Sequence, residues 1–111
     1  MESIDPYKLP PIDPAVDDPI DNTLKDGLKF RRLRHPSTEH FGPHFAFGHL
    51  PPHLQEVSRR FAQLAQFLVN SQKDGPELTV ALRKLWESKN CAVIHAGFIA
   101  DAEKAKNQVE P

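Results

Sequence analysis

The chain has 111 residues, 11 of them proline, with 39% apolar residues, 26% charged residues and a net charge of −1. That length leaves room for one small domain. The single cysteine, Cys91, rules out an intramolecular disulfide, and the near-neutral charge argues against bulk binding to DNA. No apolar run approaches the roughly 20 residues of a membrane span, and Met1-Glu2-Ser3-Ile4-Asp5 lacks the basic and apolar regions of a secretion signal, so the expectation is a soluble cytoplasmic protein.

Residues 1–23 are a proline-rich acidic arm, with six acidic side chains against Lys8 alone between Glu2 and Asp21. No period of 2 or 3.6 is sustained there, so the arm is read as an extended segment that orders only where it docks, with Tyr7 and Ile12 as anchors. Residues 24–50 follow as a basic hairpin and a His/Phe/Pro loop. Asp26-Gly27 suits a type I′ turn and predicts a short β-hairpin, with Leu28, Phe30 and Arg32 on one strand face; Leu24, Leu28 and Arg31 also fit a short helix. Five basic residues between Lys25 and Arg34 form either a solvated face or a contact for an anion.

The loop carries histidines at 35, 40, 44, 49 and 53, with Phe41, Phe45 and Phe47 between them. Pro36, Gly42, Pro43, Gly48, Pro51 and Pro52 forbid a long helix, leaving turns and at most a short strand at 44–47. Five histidines invite a metal, but zinc needs three or four converging ligands, and Gly42-Pro43 opposes the coiling that would join His40 to His44. No metal and no cofactor are expected.

Residues 51–105 are a helical hairpin domain. Leu54, Val57, Phe61, Leu64, Ala65 and Leu68 make a helical stripe after Pro51-Pro52, with Gln55, Ser58, Arg59, Gln63 and Gln66 opposite, so a helix spans about 52–70. A second helix, about 76–100, starts at Pro76-Glu77 with Asp74 or Gly75 at its N-cap. Its main stripe is Leu78, Ala81, Leu82, Leu85, Ser88, Ala92, Ala96 and Ile99, and Trp86, Val93 and Phe98 lie off that face. One partner helix cannot cover both strips, and two helices alone are marginal, so self-association through Leu78, Ala81, Leu85, Trp86, Ala92, Val93 and Ala96 is expected. The charged tail after Ala102, and 106–111 above all, is expected to fray. The fold class is therefore mainly α, an antiparallel helical hairpin behind an extended, loop-rich N-terminal region.

No catalytic residue is expected. Cys91 reads as a buried packing residue, and no phosphate loop, paired carboxylates or nucleophile elbow occurs. Anion recognition has more material: Arg31, Arg34, Arg59, Arg60, Arg83, Lys84 and Lys89 for phosphates, with Tyr7, Phe45, His53, Phe41 or Phe47 for stacking. The N-terminus of the second helix is a further candidate anion site.

The stretch from Pro76 to Val93 resembles the hairpin domain of phage anti-CBASS and anti-Thoeris sponge proteins. Glu77, Thr79, Ala81, Leu85, Glu87, Ala92 and Ala96 match its pattern, Ser88 replaces the more usual alanine, and Phe61-Ala62-Gln63-Leu64-Ala65 resembles the preceding arm. The resemblance covers about 50 of the 111 residues and stops short of the His/Phe/Pro loop and the acidic arm. It implies a bacteriophage immune-evasion protein in the cytoplasm of the infected host. Such a protein is a homo-oligomer, often a hexamer, that sequesters cyclic nucleotide signals without cleaving them. The alternative is a structural or protein-binding oligomerisation module without a small ligand.

Overall fold

The computed structural model describes residues 24–109, with side chains up to 106; the acidic arm, including Tyr7 and Ile12, lies outside the described residues. The architecture is mainly helical. A short α1 (Pro36–Glu39) and a 3₁₀ turn (Pro43–Phe45) precede α2 (Pro52–Ser71) and α3 (Pro76–Val109).

The long helices begin where their signals stand. Pro51 and Pro52 open α2, and the Pro51 carbonyl accepts from the amides of Leu54 and Gln55 at 2.9 and 3.0 Å. Pro76 opens α3, Glu77 lies in its first turn, and the Thr79 amide donates to the Gly75 carbonyl at 3.1 Å. Contrary to the fraying expected after Ala102, α3 continues to Val109, because Ala102-Glu103-Lys104-Ala105-Lys106 is a run of strong helix formers. With 34 residues against 20 in α2, about 20 Å of α3 runs past its partner at 1.5 Å per residue.

Where the sequence predicts a β-hairpin, the described residues contain no strand. A type I′ turn needs positive φ at both central residues, and only Gly27 has it, at 116°. The turn runs from Leu24 to Gly27, closed by the Gly27 amide on the Leu24 carbonyl at 2.9 Å. Its neighbours complete the bonding: the Leu28 amide donates to the Gly42 carbonyl, and the Lys25 carbonyl accepts from Phe47 and Gly48. The strand proposed at 44–47 is likewise replaced by the 3₁₀ turn. A Cβ on Gly27 would lie 2.4 Å from the Gly42 carbonyl oxygen. Gly27→Ala is therefore expected to cost about 2–3 kcal/mol in urea-melt stability, from the left-handed φ and the backbone clash together.

The core joins three layers. Leu24, Leu28, Phe41, Phe45 and Phe47 come from the N-terminal segment, Ala62, Ala65 and Val69 from α2, and Leu78 and Leu82 from α3. Half of the described buried apolar residues thus precede α2 and α3. The N-terminal segment covers part of the apolar surface of the helical pair.

This third layer also rotates α2. Ser58, Ala62, Ala65, Gln66 and Val69 face inward, while Leu64 and Phe67 are exposed. Ser58 and Gln66, placed on the outer face by periodicity, are buried. Small side chains at 58, 62 and 65 let the segment approach closely. Gln66 reaches Lys29 with both ends of its amide: Oε1 accepts from the Lys29 amide at 2.7 Å, and Nε2 donates to the Lys29 carbonyl at 2.7 Å. A glutamine on a helix here does what a neighbouring strand does in a sheet, satisfying the donor and acceptor of an extended residue.

Candidate functional site

The basic block of 25–34 is used largely within the fold. Arg34 is buried; its Nε donates to Asp74 Oδ1 at 2.9 Å, and its other nitrogens donate to the carbonyls of Val69 and Gln72. Arg32 reaches the same two carbonyls. These oxygens end α2, where a helix leaves carbonyls unpaired and its dipole favours cations. Asp74 completes the junction by accepting from the His35 amide at 2.8 Å. Burial by itself raises the Asp74 pKa, but the His35 amide and the Arg34 guanidinium outweigh it and hold the carboxyl below its ordinary value of 3.8. Arg34, a candidate ligand contact from sequence, is thus a clamp between α2 and the start of α3.

The other candidate contacts are scattered. Arg59 and Arg60 both pair with Glu56, Arg60 at 2.9 Å. Arg83 lies 3.7 Å from Glu87, Lys84 and His53 are exposed, and Arg31 is half-buried. Phe45 has no exposed surface, so it belongs to the core and cannot stack on a ligand. Of the residues expected at an interface, Leu78 is buried and Leu85 is packed against the core, while Ala81 is exposed and Ala92, Val93 and Ala96 are half-buried. Leu78 belongs to the core cluster of its own chain. Cys91 is exposed rather than buried, on a different face of α3 from the buried Lys89.

What the structure does assemble is an aromatic and cationic cluster around Trp86. The 3₁₀ turn puts His44 flat against the indole, with ring centroids 4.4 Å apart and planes at 22°. Phe41 meets Trp86 edge-on at 6.4 Å, and His40 lies on Phe41 at 4.1 Å. Trp86 therefore packs against the turn-rich segment of its own chain and remains half-exposed. The coiling that Gly42-Pro43 was expected to prevent does occur, and His40 and His44 come within 6.0 Å, edge to face. Among the described residues, no three His, Cys, Asp or Glu side chains converge as a metal site would need. The His44 pKa is lowered first by burial and then by the charges of His40 and Lys89.

Lys89, one turn beyond Trp86, is 9% exposed, and burial lowers its pKa. It lines a groove of about 320 Å³ with His49, Leu50, Asn90, Val93 and Ile94. Two other depressions carry acidic side chains: Asp26 and Glu39 in one, Asp74 in the other, at the start of α3. Asp74 occupies the electropositive helix end that the sequence offered to an anion. Only the groove beside Lys89, of these three, has a cation without a carboxylate in its wall. Trp86, Lys89, Asn90 and Val93 follow helical spacing, and a lysine inside an otherwise apolar strip was the one signal in the sequence for this site.

Comparison of the chain with protein-family models, curated proteins and solved structures returned no match. No described helix is long and apolar enough to cross a membrane.

Proposed function

We propose that the protein is a non-enzymatic anti-defence sponge of the phage type: a homo-oligomer that binds cyclic nucleotide immune signals and withholds them from their receptors. The ligand class and a hexameric state come from the resemblance of residues 76–93 to that hairpin domain. The structural observation that carries the reading is the outer half of α3. Ile94, Phe98 and Ile99 are 56%, 68% and 48% exposed on a helix that has outrun its partner. An apolar helix face of this kind is covered most economically by a second helix of its own type. Pockets between copies would then stand near the cluster of Trp86, His44 and Lys89, which offers a stacking surface and positive charge to a phosphate-bearing base.

A second reading is favoured by the ion pairs of Arg34, Arg59, Arg60 and Arg83, whose charges are answered inside the chain. On that reading the helices form an oligomerisation or protein-binding module without a small ligand. Thermal melts with a panel of cyclic di- and trinucleotides and cyclic ADP-ribose isomers separate the two. A sponge gains about 2.7 kcal/mol at ligand concentrations 100 times Kd. A folded oligomer whose melting temperature ignores the whole panel is the module.

A further inference from the structure

The groove beside Lys89 holds an electrostatic problem that the oligomer argument leaves open. Lys89 is nine-tenths buried. Among the described residues no ion pair involves its ammonium, and burial lowers its pKa. Its charged neighbour is His44, which repels it when protonated. A cation that has lost part of its hydration and gained no partner is stabilised when an anion reaches it.

The surroundings define what that anion resembles. Lys89, His49 and Asn90 are the polar residues of the groove wall, and Leu50, Val93 and Ile94 are the apolar ones. Three groups able to donate suit an oxyanion with several acceptor oxygens, which a phosphate has. The apolar wall suits the uncharged body attached to it. At about 320 Å³ the groove is at the small end of ligand pockets, large enough for a phosphate and part of its substituent.

We infer that the groove between the His49–Leu50 turn and α3 is a phosphate-binding site, with Lys89 as the buried anchor and His49 and Asn90 as flanking donors. The inference deepens the sponge reading by naming where the phosphate of its ligand sits. It rests on that reading only for the rest of the ligand's identity.

The test uses the full chain and inorganic phosphate, followed by NMR of the His49 ring, the Lys89 side chain and the Trp86 indole, with acetate as the carboxylate control. Phosphate is expected to move these signals saturably and to bind more tightly than acetate. Lys89→Met keeps the apolar stem and removes the charge. It is expected to weaken phosphate binding about ten- to a hundredfold, the worth of one charged hydrogen bond, and to leave the melting temperature of the free protein unchanged or raised.

Four results overturn the inference: phosphate binding of wild-type strength in Lys89→Met, acetate binding more tightly than phosphate, a lowered melting temperature in the variant, or a titration of Lys89 shifts near pH 4 that reveals a carboxylate of the chain already in place. Failure of the sponge reading is distinguishable. Phosphate binding through Lys89 with no response to any cyclic nucleotide removes the sponge and keeps the site. Cyclic nucleotide binding that ignores Lys89→Met removes the site and keeps the sponge.

Discussion

Asp74→Ala is expected to lower the unfolding free energy by about 3–5 kcal/mol, as removal of one partner from a buried ion pair does. The side chains of Arg34 and Asp74 are 3% and 15% exposed, so water cannot replace the lost carboxylate at the guanidinium. The His35 amide loses its acceptor in the same step. Urea melts at neutral pH measure the loss, and acid melts identify its origin. The folded-state pKa of Asp74 lies below 3.8, so its contribution is complete above about pH 4 and disappears as the pH falls through the folded-state value. The gap between wild type and Asp74→Ala should narrow over that acid range. A gap that is constant down to pH 2 would mean that the carboxylate's charge is not what stabilises the junction.

The second large effect concerns assembly. Ile94→Glu with Phe98→Glu is expected to reduce the mass in light scattering from a multiple of 12.5 kDa to the monomer value, with helix content retained. Full burial of each such side chain contributes about 1.5–3 kcal/mol, and a charge in the same place opposes association as well. Neither residue belongs to the core cluster, so the fold should survive the change. A monomeric wild-type protein at micromolar concentration would remove the basis for pockets shared between copies.

The helices were legible because their signals are local. Prolines 51, 52 and 76 and the apolar repeats act within a turn or two of themselves, and α2 and α3 start where those signals stand. Which face of α2 turns inward was not legible. Periodicity counts Leu64 as core and Ser58 and Gln66 as surface, and the structure reverses all three. The reason is a contact 37 residues away, the pairing of Gln66 with the Lys29 backbone, which no local pattern encodes. The aromatic loop was obscure for a related reason. Its prolines and glycines announce turns, but only the helices it lies on make Phe41, Phe45 and Phe47 a core. The arginines misled in the opposite direction, because charge in a sequence does not reveal that Arg32 and Arg34 end a helix. At the candidate site, Trp86 stands out in the sequence as an anchor, but its stack on His44 depends on a turn 42 residues away. Lys89 was one cation among several until its burial set it apart.

The origin of half the core in residues before the helices has a consequence for what counts as a module. A fragment trimmed to the helical pair would keep α2 and α3 and lose Leu24, Leu28, Phe41, Phe45 and Phe47. It would present Ala62, Ala65, Val69, Leu78 and Leu82 to water and leave the last carbonyls of α2 without Arg32 and Arg34. Such a fragment would pair through the wrong face, and any oligomer it formed would report its amputation. The hairpin is the recognisable part of this protein, but it is not an autonomous one, and the smallest portable unit includes the turn-rich segment in front of it.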